Sequence, residues 1–246
     1  MRRDVLELRA FYATPLGRAV RAMVMRQLVT AWGDASGLDV LGLGYATPFL
    51  DPFRSKARRV VAGMPAGQGV ETWPAQAANL ACLTAEDALP FPGALFDRVL
   101  VVHGLEEAPD LDAFLTEAHR VLAPSGRIIL AVVNRAGLWA GAEQTPFGHG
   151  RPFTRSQLEQ AVIAAELSPT AWSRALYAPP WPVLAPYAEL IEQTIAWLAP
   201  PVSGLILMEA VKQTFAVKPR QAGRRVAVAR LRPAVVAPAV RLEPDQ

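Results

Sequence analysis

Five short apolar runs, each separated from the next by a helical or loop stretch, constrain the fold more than any other feature. They are LDVLGL (38–43), RRVVAG (58–63), NLACL (79–83), DRVLVVH (97–103) and GRIILAVVN (126–134). Each is rich in Val, Ile or Leu and bounded by Gly, Pro, Asp or Asn, the pattern of a strand. Runs apolar on both faces suit strands covered by helices on each side. The stretch APDLDAFLTEAHRVLAPSG fills the last interval. There Asp110 is placed to cap a helix that turns Leu111, Phe114, Leu115, Ala118 and Leu122 to the sheet. Alternation of this kind predicts an open, mostly parallel sheet with right-handed crossovers. A chain of 246 residues is long enough to bury such a core.

The flanks follow from capping signals. Residues 5–32 read as one or two helices, with Thr14-Pro15 as an N-cap and first-turn pair. Thr154 and Gln157 form a capping-box pattern that starts a helix reaching Leu167. TAWSRALYA (170–178) is a candidate sixth strand, residues 183–199 a helix bearing Trp and Leu, and LILMEAVKQTFAV (205–217) a last long strand. The expected organisation is a helical cap (1–36), an α/β domain (37–217) and a basic tail rich in Pro and Arg, expected to be flexible (218–246).

Composition narrows the function classes. Only 19% of residues are charged and about half are apolar, a folded composition. Cys82 is the single cysteine, so no intrachain disulfide forms; it is expected to be a buried strand residue. With His103, His119 and His149 the only histidines, no metal-ligand cluster is legible. No run reaches the length of a membrane span. Asp4 and Glu7 interrupt any signal-peptide core in the Arg-rich N-terminus, so a cytoplasmic location is expected. The net charge is +3, but the segment from Val217 onward carries +5 and the remainder therefore −2. A nearly neutral folded part disfavours a nucleic-acid partner.

The stretch LDVLGLGYATP places Gly42 and Gly44 in a sharp turn after the first strand, where backbone can approach a ligand. Alone, this turn permits a nicotinamide-binding Rossmann reading, or no ligand at all. The order of later segments is more specific. LPFPGALFDRVLVVHGLEE followed by FLTEAHRVLAPSGRIILAVVN resembles the class I S-adenosylmethionine-dependent methyltransferases. The resemblance rests on Leu89, Pro90, Phe91, Phe96, Asp97, Glu106, Arg120, Val121, Leu122, Pro124, Ser125 and Gly126, and runs from about Val40 to Asn134. It implies a Rossmann-like, seven-stranded, mostly parallel sheet with helices on both faces and an antiparallel last strand.

The resemblance also implies S-adenosylmethionine as cofactor, with Gly42, Gly44, Tyr45 and Ala46 at its turn, and Met64, Glu86, Asp87 and His103 around it. Two departures stand out. Val40 occupies the position of an acid in the first strand, and Asp39 beside it points to the opposite face. Gly63, Met64 and Pro65 stand where an acid would accept the ribose hydroxyls, leaving Gln68 or Glu71 to reach back. His103, at the end of the fourth strand, and His149, in a glycine-flanked loop, are candidate bases; Arg151 and Tyr12 are candidate substrate contacts. Trp172, Trp181 and Trp197 are core residues, pocket lining or a partner surface, and the tail offers a second partner site. The leading reading is a methyltransferase acting on a small molecule; the alternative is a non-catalytic relative whose degenerate site serves binding or regulation.

Overall fold

The computed structural model describes residues 3–198 and 202–213 and the backbone of 229–230. Asp4 accepts a hydrogen bond from Leu6 N–H and starts α1 (Val5–Ala13). Thr14 ends that helix in extended backbone and caps α2 (Pro15–Trp32), its hydroxyl accepting from Gly17 N–H at 3.0 Å. Gly17 is required there. A Cβ at Gly17 would lie 2.0 Å from the Phe11 carbonyl oxygen, so the two helices meet with no side chain between them.

Then come β1 (Asp39–Gly44), the short α3 (Thr47–Leu50), β2 (Arg59–Pro65), β3 (Ala81–Thr84) and β4 (Phe96–Val102). Next are α4 (Leu111–Val121), β5 (Leu122–Val133), α5 (Arg155–Ala164), β6 (Leu167–Ala175), α6 (Ala188–Leu198), β7 (Leu205–Lys212) and β8 (Ala229–Arg230). Asp110 caps α4 through Ala113 N–H, and Thr154 with Gln157 closes a complete capping box on α5, as the sequence indicates.

The sheet order is β3-β2-β1-β4-β5-β7-β6-β8. β7 runs antiparallel to both β5 and β6, and the other paired strands are parallel. The seven expected strands are present with the antiparallel member last among them; the two-residue β8 adds an edge beside β6. Alternate side chains feed two cores. Val40, Met64, Leu100, Val102 and Ile129 pack under α1 and α2, while Leu41, Leu43, Val99, Val101 and Ile128 pack against α4 and α5.

Some boundaries shift. β6 begins at Leu167, where a helix end was expected. Residues 183–199 divide into a 3-10 turn (Pro182–Tyr187) and α6. Cys82 is half-buried rather than buried, because β3 is the outermost strand on its side and Leu83 beside it is exposed. The last strand ends at Lys212; residues 214–217, and the tail apart from 229–230, lie outside the described residues.

Candidate functional site

The sheet order reverses between β1 and β4, so the carboxyl ends of β1, β2 and β4 frame a crevice. The glycine turn forms its floor. Gly44 has φ +78°, and a Cβ there would lie 2.2 Å from the Val102 carbonyl oxygen. Tyr45 N–H donates to that same oxygen at 2.8 Å, locking the turn onto the end of β4. A Cβ at Gly42 would lie 2.7 Å from Ala46 Cβ and 2.7 Å from Leu50, so the Ala46 methyl occupies space that Gly42 vacates. Both glycines are thus explained by the chain's own packing.

The loop after β2 supplies the polar groups. Glu71 reaches back to the turn and accepts a hydrogen bond from the Tyr45 hydroxyl at 2.8 Å. Gln68 is 1% exposed; its amide nitrogen donates to the His103 carbonyl oxygen at 3.4 Å, and its Oε1 is buried with no hydrogen-bond partner. Met64 is fully buried on the core face. Val40 is buried on the same face, and Asp39 is taken up at the far end of β1 by the Arg58 guanidinium, at 3.0 and 2.5 Å. Glu86, half-buried, and Asp87, exposed, lie one strand further out, in the turn closed by the Ala85–Ala88 bridge.

His103 follows β4 with φ 51°, a left-handed conformation costly for a side-chain-bearing residue. Its buried ring shares a 2.8 Å hydrogen bond with the Tyr12 hydroxyl. Burial pushes the imidazole pKa down to about 3, so the ring is neutral at physiological pH. Burial, with the Tyr45 and Glu106 charges adding to it, raises the Tyr12 phenol well above its ordinary value. Tyr12 stacks on Tyr45 and meets Phe49 edge-on.

Tyr12 belongs to α1, and α1 lies across the crevice as a roof. Val5 N–H donates to the Gln68 carbonyl at 2.8 Å, Arg9 pairs with Glu71 at 3.2 Å, and Tyr12 reaches His103. Beside the roof a cavity is lined by Arg3, Gln68, His103, Glu106, Glu107 and His149, among others, with room for about one water molecule. The buried Glu106 carboxylate accepts from Val133 N–H at 3.0 Å. His149 bonds Glu143 O at 2.7 Å and lies against the Arg3 guanidinium.

The structure therefore brings Gly44, Tyr45, Gln68, Glu71, Tyr12 and His103 into one cluster and sets His149 on the same cavity. Arg151 stands apart: its N–H donates to Glu106 O at 2.8 Å, while its guanidinium lies over the Phe153 ring. Arg3 and Glu107 carry no local sequence signal for a site. Among the described residues no group of His, Cys, Asp and Glu is arranged to hold a metal.

Comparison with known proteins agrees with this architecture. Residues 28–130 match the family described as methyltransferase domain. A demethylmenaquinone methyltransferase from Thermus thermophilus is 34% identical over 111 residues, which cover 42% of this chain and 44% of that protein's length. Among solved structures, a possible histamine N-methyltransferase from Thermotoga maritima aligns over 85% of this chain and 96% of its own, with TM-score 0.60 and 16% identity. The 1,6-didemethyltoxoflavin-N1-methyltransferase of Burkholderia thailandensis, solved with bound 1,6-didemethyltoxoflavin and S-adenosylhomocysteine, aligns over 85% of this chain and 88% of its own, with TM-score 0.53 and 20% identity.

Proposed function

We propose that this chain is a class I S-adenosylmethionine-dependent methyltransferase that methylates a small-molecule acceptor in the crevice at the ends of β1, β2 and β4; the match of residues 28–130 to a methyltransferase domain supports the reading. The observation that carries the reading is the pair of acceptors after β2. Gln68 Oε1 is buried and unpartnered, and the Glu71 carboxylate is already folded back onto the glycine turn. These groups fit a nucleoside that presents hydroxyls, and compensate for the acid absent from the end of β2. A buried acceptor without a donor costs about 1–3 kcal/mol, which a ligand hydroxyl would recover.

S-adenosylmethionine, when bound, supplies a methyl group on a sulfonium sulfur. The chain's own residues hold and orient. Gly42, Gly44, Tyr45 and Ala46 present the turn, Met64 lies at the end of β2 beneath it, and Glu86 and Asp87 border the outer strand. Tyr12 and α1 cover the crevice and keep water from it. Neutral His103 offers a hydrogen-bonding ring rather than a charge. His149, near the mouth, is the proposed base for an acceptor that must lose a proton. The relatives' named acceptors differ from one another, so none of them is assigned here.

Calorimetric titration with S-adenosylmethionine and S-adenosylhomocysteine tests the reading. Both should bind, and Gln68→Ala should weaken both about tenfold or more. Absence of heat with either ligand at millimolar concentration would sink it.

A further inference from the structure

We propose that the cavity beside α1 receives the cationic end of the acceptor, an ammonium or guanidinium group, and that Arg3 holds its place in the closed structure. The inference deepens the methyltransferase reading and rests on it. Arg3 precedes α1 and belongs to no helix or strand. Its guanidinium donates to the Glu143 carbonyl oxygen at 3.1 Å and lies on His149 Nε2. Its backbone N–H donates to the Glu107 carboxylate at 3.3 Å. Its ion pair with Glu7, at 3.0 Å, stays within its own segment. The chain thus seats one of its own cations on the cavity wall.

That wall is built without Arg3. Val133 N–H fixes the buried Glu106 carboxylate. Arg151 N–H donates to the Glu106 carbonyl oxygen at 2.8 Å, and a Cβ at Gly150 would lie 2.8 Å from the same oxygen. The His149 loop is therefore seated directly on the backbone that carries Glu106 and Glu107. Within the loop, Thr145 N–H donates to Ala142 O at 2.8 Å, and the Phe147 ring packs 4.7 Å from that of His103 and 5.2 Å from that of Trp139. None of these contacts involves Arg3, so its withdrawal leaves the receptacle formed, and a ligand that enters has little left to order.

Two observations set the sign of the ligand. Apart from Arg3 and the two histidines, every ionisable residue on the cavity lining is acidic: Glu106 and Glu107. An anion there would face both carboxylates in partly dry surroundings, whereas a cation replaces the one that leaves. The second observation is Gln68 Oε1, which is 1% exposed as a residue, has no hydrogen-bond partner and lines the same cavity. An amide oxygen has two lone pairs, so it can accept from a cofactor hydroxyl on one side and from an acceptor N–H on the other. The Phe11 and Phe147 rings, 5.9 Å apart, offer the apolar body of such a molecule a surface next to its charge. The void left at present holds about one water molecule, so the acceptor and Arg3 exclude each other.

The test uses three probes of one ring and different charge: benzylamine, benzyl alcohol and benzoate. Each is titrated at neutral pH into the full chain saturated with S-adenosylhomocysteine. Benzylamine should bind at least about tenfold more tightly than benzyl alcohol, and benzoate should not bind. This comparison needs no variant. Arg3→Ala should bind benzylamine about tenfold more tightly than the wild type, because the resident cation no longer competes. Glu107→Gln, with an unmoved thermal midpoint, should bind it about tenfold more weakly. Equal binding of the three probes overturns the proposal, as does a preference for benzoate or no benzylamine binding at millimolar concentration. So does a benzylamine affinity that Arg3→Ala leaves unaltered. S-adenosylhomocysteine is titrated alone in the same preparations. Its failure to bind would strike the methyltransferase reading, whereas its binding without a preference for the amine would strike this inference alone.

Discussion

At the residue scale, Gly44 and His103 hold the crevice by opposite means. Gly44 adopts a left-handed backbone at no cost; His103 adopts one at a cost that the surrounding contacts offset. Gly44→Ala should lower stability by about 2 kcal/mol or more, from the positive φ and the Val102 carbonyl at 2.2 Å, read as a shift in the urea midpoint. An unshifted midpoint would mean that β1 is free to move off β4. Loss of ligand binding in a Gly44 variant would therefore not separate binding from folding, whereas Gln68 and Glu71 variants would. His103 makes a pH prediction. Its folded pKa of about 3 lies below the ordinary value of 6.5, so the unfolded chain takes up the proton first. Stability contributed by the neutral ring is complete above pH 6.5 and is lost as pH falls from there toward 3. Between pH 7 and pH 5 the linkage amounts to about 2 kcal/mol. His103→Gln should show a correspondingly smaller drop in urea midpoint over that interval. His119, half-buried and also lowered, contributes in the same direction in both proteins and cancels in the comparison.

At the element scale, α1 and α6 are fastened differently. Three carbonyl or side-chain anchors hold α1: Gln68, Glu71 and His103. A nucleoside-sized ligand needs a few hundred cubic ångströms, far more than the present void, so α1 must lift for the ligand to enter. Tyr12→Phe removes the hydroxyl that bonds His103 and keeps the ring. Association of S-adenosylhomocysteine, followed by stopped flow, should become several-fold faster. A rate equal to or below that of the wild type would show that opening of α1 does not limit entry. α6 depends on Glu192, whose buried carboxylate gathers three backbone N–H groups at the end of β6. Glu192→Ala leaves those donors unpaired and should cost about 3 kcal/mol in urea unfolding.

At the scale of the whole molecule, the strand assignment was legible because five runs are apolar on both faces, which only a doubly covered sheet explains. Strand order was not legible from periodicity. The antiparallel last strand followed from the resemblance alone, and its insertion between β5 and β6 was not anticipated, since no local pattern encodes which strands become neighbours. Cys82 departed from expectation for the same reason: its run looks like a core strand, and only the sheet order reveals an edge. In the site, the return of Gln68 and Glu71 was legible as polar residues placed just after β2. The Arg3–His149 contact spans 146 positions and leaves no local trace. Ligand binding should register globally: S-adenosylhomocysteine at about a hundred times its dissociation constant adds about 2.7 kcal/mol, a rise of roughly 5–11 °C in thermal midpoint. An unmoved midpoint under those conditions would contradict a cofactor bound by the folded state.

The placement of Arg3 has one more consequence. Its backbone N–H donates to the Glu107 carboxylate at 3.3 Å, and its guanidinium lies on His149 at the cavity wall. The leading end of the chain is thus part of the masonry of the site. Substitution of Arg3, which belongs to no helix or strand, therefore bears on entry to the cavity as directly as changes within the crevice.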